Sequence, residues 1–287
     1  MLPNPFPVSP AEPTTAAVRG KFAVTLLNAT ACYLLAYELV RLAQQSSLAR
    51  AARHHHVPGT WHAAGVHFNL SDSGWSRELV LAVYGAGPLA VLGLGMLALV
   101  AFWGRQRQRR GLAKLLLLWL LMHALNQLLG GLLADTITQS GSWFVPNWLL
   151  GVGTWPSLAL GLLLGAGQLG LGMLLAQWFL QAQDSRTVLR FAYRARLVRY
   201  AILGPWLAGS AVLALSQLPD LSLNEGLHLL TMGLLLGPLA LGVRQEHFSE
   251  SQVLPAPTRP AWGLLALAVL GLLAWRWALS GAGLRLG

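Results

Sequence analysis

Glu38 is the first residue from which chemistry would be expected. It stands in a long apolar stretch, with Arg41 three positions on along the same helix flank. A local ion pair near the outer membrane interface is one account of that spacing. The other is that Glu38 faces His123 or Asn126 across a helix bundle, where a carboxyl group could carry a proton. His123, Asn126 and Gln127 lie inside a later apolar stretch, with Asp135 at its outer end. His123, Gln127, Gly130 and Ala134 fall on one face at helical spacing. Polar side chains are costly in a bilayer and mark functional sites by default. The same face would equally serve interhelical hydrogen bonding with no chemistry attached. Asn28, Gln168, Gln177 and His228 are further polar residues within apolar segments.

A second group is the histidine-bearing loop over about 46–78, with His54, His55, His56, His62 and His67. Imidazoles at this density can bind zinc, copper or nickel, which makes His54, His56, His62 and His67 candidate metal ligands. They can also sense pH. No Cys or acidic ligand is interleaved at a recognised spacing, and three consecutive His cannot all reach one ion from a regular helix. An incidental or interfacial role is the alternative, and no cofactor is expected.

The elements that must position these residues follow from composition. The chain has 287 residues, 55% hydrophobic and 10% charged, where soluble domains have about 25% charged. A spanning helix needs roughly 20 apolar residues. Seven stretches qualify, at about 22–43, 79–103, 112–134, 157–180, 200–218, 224–243 and 261–280. None alternates with period two as a membrane β-barrel would. The fold class expected is therefore all-α, a polytopic transmembrane helix bundle. It comprises a disordered Pro-rich cytoplasmic tail over 1–21, one transmembrane domain over 22–280 and a short tail over 281–287. The first apolar stretch reads as an uncleaved signal anchor.

The net charge of +10 falls at span ends rather than in a nucleic-acid-binding patch. Of the 20 Lys and Arg, 14 lie in the N-terminal tail and the second, fourth and sixth loops. By the positive-inside rule that side is cytoplasmic, with the C-terminus opposite, as in a bacterial inner or plasma membrane. Trp residues cluster near the expected interfaces. Pro156 divides an interfacial piece from a helix starting near Ser157. Ser222 to Glu225 forms a capping-box pattern. Gly161/Gly165, with Ala166 and Gly170 continuing the row, and Gly233/Gly237 let helices pack closely within the bundle. The alternative is a helix–helix homo-oligomer, which with the lipid bilayer makes up the partners expected. Cys32 is alone, so no intrachain disulfide forms.

Three pieces in chain order resemble the site-2-protease family of intramembrane zinc metalloproteases. Tyr37-Glu38-Leu39-Val40-Arg41 stands where that family carries HExxH, in which two His bind zinc and the Glu activates water. Gly85-Ala86-Gly87-Pro88-Leu89 is similar to a motif of the following span. His123-Ala124-Leu125-Asn126-Gln127 through Gly130-Gly131 to Asp135 resembles the later span that supplies an Asn and a metal-binding Asp. Val66-His67-Phe68-Asn69-Leu70 corresponds to the family's short extended segment. The likeness covers about half the chain. Both zinc-binding His are replaced here, and a guanidinium repels a metal ion, so the resemblance implies a metal-free relative without that protease activity.

Three functions stand open at this level. One is a non-catalytic binding or scaffold role. A second is a small transporter or channel using Glu38 and the polar face of the third span. A third is an enzyme acting on lipid or peptide with His123 and Glu38 in hydrogen-bond reach. No P-loop, dinucleotide fingerprint, intact HExxH or nucleophile elbow is present.

Overall fold

Thr14 opens the first helix, α1 (Thr15–His54), its hydroxyl accepting the Ala17 N–H at 3.4 Å. In this computed structural model residues 14–104, 111–151, 153–219, 221–245, 259–279 and 283–286 are described. At 1.5 Å per residue, the 40 residues of α1 extend about 60 Å, roughly twice a bilayer's hydrocarbon thickness. The helix therefore crosses and then projects beyond the membrane. It also begins before the expected first span. Residues 15–21 are helical, and the rest of the expected tail lies outside the described residues.

The projecting end of α1 carries a β-hairpin, β1 (Gly59–His62) and β2 (Gly65–Phe68), antiparallel with Gly59 opposite Phe68 and His62 opposite Gly65. Ala52, Val57 and Val83 form a small core under it, joined by Leu48, Phe68, Trp75 and Leu286. Ser76 caps α2 (Arg77–Trp103), accepting from Leu79 N–H at 3.2 Å. Next, α3 (Leu112–Leu125) runs through a π turn at Asn126–Gly131 into α4 (Leu132–Thr138). The short α5 (Phe144–Leu150) precedes α6 (Thr154–Ala182), whose first turn holds Pro156, close to the break expected there. Two short pieces, α7 (Arg186–Leu189) and α8 (Arg194–Val198), lead through a second π turn into α9 (Gly204–Gln217).

Ser222 caps α10 (Leu223–Val243) with both halves of the capping box formed. α11 (Trp262–Leu279) and β3 (Leu284–Leu286) complete the described chain. β3 pairs antiparallel with β1, giving the sheet order β2-β1-β3. A strand thus stands where a plain tail was expected. It fixes the end of α11 on the same side as the end of α1, as an odd number of crossings requires.

Among the described residues seven helical stretches are long and apolar enough to cross a membrane, so this is a multi-pass α-helical membrane protein. α1 runs through the middle of the bundle, and its Ala29, Cys32, Tyr33 and Ala36 are fully buried. The arginines at 105, 107, 109 and 110, which weigh in the charge asymmetry, lie outside the described residues.

One glycine of each GxxxG pair meets a neighbouring helix, Gly161 against Leu133 and Gly233 against Trp206, and other glycines let helix backbones approach more closely. Gly172 lies against the Leu235 carbonyl and Gly242 against Ala176, so α6 and α10 meet through them. Gly165, Gly170 and Gly237 face open space. α11 is peripheral, with Leu267, Leu270, Leu273 and Trp277 exposed. Asn28 ties down its start, donating to Arg259 C=O at 2.9 Å and accepting Ala261 N–H at 2.8 Å.

Candidate functional site

The π turn holds two of the third span's polar residues, Asn126 and Gln127. It begins at Asn126, after His123, and although helical spacing stacks His123 and Gln127 on one face, the two meet different neighbours. His123 is buried among aromatic rings, 4.5 Å from Tyr33, 5.8 Å from Tyr37 and 6.1 Å from Trp119 between ring centroids. Its Nε2 has no hydrogen-bond partner among the described residues. Gln127 instead reaches the side chain of His228 on α10, at 3.5 Å from its Nδ1.

Asn126 sits at the start of the π turn and is fully engaged. Its Nδ2 donates to His228 C=O at 3.0 Å; its Oδ1 accepts from Gln168 at 2.8 Å and Thr231 at 3.3 Å. Gly130 makes room for this knot, because a Cβ there would collide with Asn126, Thr231 and Gln168. α3, α6 and α10 are thereby joined in the bundle interior by amide and hydroxyl groups, the interhelical use of a polar face.

Asp135, at the end of the same span, is buried and accepts three bonds. Its Oδ1 takes Asn224 Nδ2 at 2.8 Å and His228 Nε2 at 3.3 Å, and its Oδ2 takes the Ser142 backbone N–H at 2.8 Å. Gly141, at φ +56°, lets the loop turn over the carboxylate, where a Cβ would meet Asp135 Oδ2 at 2.8 Å. A His Nε2–H donated to Asp135 leaves Nδ1 as acceptor for Gln127, so the neutral imidazole fits both neighbours.

These groups open onto a cavity of about 400 Å³ at the hairpin end of the bundle. Tyr37, Arg41, Gln44, Gln127, Asp135 and His228 line it, with Gln45, His67, Tyr84 and Glu225 around them. Arg41 is held by four partners. Its Nη2 donates to Ala63 C=O at 2.7 Å, Ala64 C=O at 3.1 Å and Glu225 Oε1 at 2.8 Å. With the Gln217 amide turned to suit its neighbours, Nη1 donates to Gln217 at 2.6 Å. The ion pair of Arg41 is therefore with Glu225 on α10, not with Glu38.

Glu38 faces the other way. It lies beside α11, where a Cβ at Gly271 would collide with its Oε2. It lines a separate cavity of about 140 Å³ with Leu35, Leu42, Leu272, Trp275 and Ser216. Tyr37 and Arg41 line both cavities and form the wall between them. Glu38 and His123 share no hydrogen bond, so the catalytic pairing considered from sequence is not formed. A transport path using Glu38 together with the third-span face would have to cross that wall.

The histidines divide as well. His54 and His55 meet edge-to-face at the end of α1 with ring centroids 5.0 Å apart, and His62 and His67 in the hairpin are 5.8 Å apart. His56 takes positive φ, 55°, where the chain leaves the helix. Among the described residues no three His, Cys, Asp or Glu side chains are grouped to hold a metal ion. Sequence reasoning placed Glu225 in its capping box and noted His228 as a polar residue in a span, but did not find their partners on other helices. They meet Asp135 and Arg41 across the bundle, and no local spacing signals that.

No family model, no curated protein and no solved structure matches this chain.

Proposed function

We propose that this membrane protein is a non-catalytic binding protein whose hairpin-end cavity takes up a small hydrogen-bonding ligand from the aqueous side. The observation that carries this is the convergence of Tyr37, Arg41, Gln44, Gln127, Asp135 and His228 on one cavity of about 400 Å³. A few convergent polar groups in a preformed concavity are what small-molecule sites have in common.

A hydrolytic role draws no support from the hydroxyls nearby. Ser140 bonds to Thr138, Ser222 bonds to Glu225, and Ser142 meets Asp135 through its backbone N–H. None of these hydroxyls hydrogen-bonds to the His228 that would have to activate it.

The proposal includes kinship with the site-2-protease family. In its favour, Tyr37 and Arg41, at the places of the two zinc-binding His, line the same cavity as Asp135, at the place of the metal-binding Asp. The Arg41 guanidinium, paired with Glu225, would then hold the position of a ligand and repel a cation. The proposal also sets the N-terminus in the cytoplasm and the hairpin outside, following the charge asymmetry.

Thermal unfolding of the purified full-length chain with amino acids, short peptides and sugars tests the binding role. At least one probe class should raise the midpoint by about 2 °C or more when present well above its Kd. The shift should vanish in His228→Phe or Gln127→Leu. No shift with any probe in the unaltered chain, or chemical turnover of a probe, would overturn the reading.

A further inference from the structure

We propose that the second cavity is a site for the primary ammonium group of an aminophospholipid, with Glu38 as its acceptor. Glu38 Oε1 is buried and has no hydrogen-bond partner among the described residues. The other carboxylates inside the bundle are occupied, Asp135 by three donors and Glu225 by Arg41 and its capping box. A buried charge persists only when something pairs with it.

The nearby cations are already committed. Arg41 is spent on Glu225, Gln217 and two carbonyls of the hairpin turn. Arg276 donates to Ser216 C=O and Leu218 C=O, covering the end of α9. The Trp275 indole N–H goes to Ala63 C=O at 3.1 Å. Among the described residues, the Arg41, Trp275 and Arg276 donors around this carboxylate are thus turned elsewhere, which leaves its partner to an external donor.

Position and lining name its class. The cavity lies between the middle of α1 and the hairpin-side ends of α9 and α11, where Trp275, Trp277 and Arg276 mark the headgroup level. Leu35, Leu39, Leu42 and Leu272 make its walls mainly apolar, and α11 is exposed along most of its length. A ligand that enters here carries a cationic donor on an apolar body. At about 140 Å³ the space suits an ammonium and its adjoining methylenes. Gly271 leaves the carboxylate free of a side chain that would push it out of this position. A primary ammonium donates three hydrogen bonds, and a quaternary one donates none.

The test is native mass spectrometry of the full-length chain released from nanodiscs of phosphatidylglycerol doped equally with phosphatidylethanolamine and phosphatidylcholine. Occupancy by the ethanolamine lipid should exceed that by the choline lipid roughly tenfold, the loss expected for one charge-assisted hydrogen bond. Glu38→Gln should bring the two lipids level, and added dodecylammonium should displace the ethanolamine lipid. Equal occupancy in the unaltered chain would overturn the assignment, and this arm needs no variant. So would a preference that survives Glu38→Gln, or a failure of dodecylammonium to compete. Because His228 and Gln127 lie outside this cavity, His228→Phe should leave the lipid preference intact.

Discussion

Arg41 on α1 and Glu225 on α10 meet at 2.8 Å with side-chain exposures of only 12% and 16%. The pair joins the middle of the long α1 to the first turn of α10 and holds the hairpin turn through Ala63 and Ala64. Arg41→Met should lower stability by about 2 to 4 kcal/mol, because it strands a mostly buried carboxylate. Urea or thermal unfolding in detergent would measure it. The double variant with Glu225→Gln should lose less than the two single losses added together, since both delete one interaction.

Asp135 ties together Ser142, Asn224 and His228. Asp135→Ala should cost about 2 to 3 kcal/mol by leaving buried donors unmet. The same unfolding measurement should show Asp135→Asn losing less, since an amide oxygen can still accept two of these bonds.

Gly130→Ala should destabilise by about 1 to 3 kcal/mol, because its methyl group would enter the knot of Asn126, Gln168 and Thr231. Gly165→Ala faces open space and should be neutral or slightly stabilising through helix propensity. Melting temperatures of the two variants should move in different directions.

Cys32 is the single cysteine and is buried. The unaltered chain should therefore resist a membrane-impermeant maleimide. Gln44→Cys, which faces the hairpin-end cavity, should be labelled from the hairpin side alone. In right-side-out vesicles that side should be the exterior.

Asn28→Leu should loosen the start of α11 by unpairing Arg259 C=O and Ala261 N–H. The cost should be about 1 to 3 kcal/mol. A red shift of Trp emission or faster hydrogen exchange over 259–265 would report it.

The spans were legible because their length and apolarity are local properties. Leu223–Val243 and Arg77–Trp103 fall within two residues of their expected bounds. The Ser222 capping box was legible for the same reason. Asp135, Asn126 and Gln127 stood out because polar groups are rare at such depth. Their partners did not, since His228 lies 93 residues from Asp135 and Glu225 lies 184 from Arg41. Helical spacing put His123 beside Gln127, yet His123 meets Tyr33 on α1 and Gln127 meets His228 on α10. β3 was missed because Leu-Arg-Leu is too short a run to announce a strand without the edge it pairs with.

That edge belongs to β1, which lies directly after the first span, while β3 follows the seventh. During synthesis the hairpin must wait, with one side unpaired, until every later helix has been made and inserted. The closing strand also serves as a check that the bundle beneath it has been threaded with the right number of crossings. A chain that skipped a span would present β3 on the wrong side of the membrane and leave β1 open.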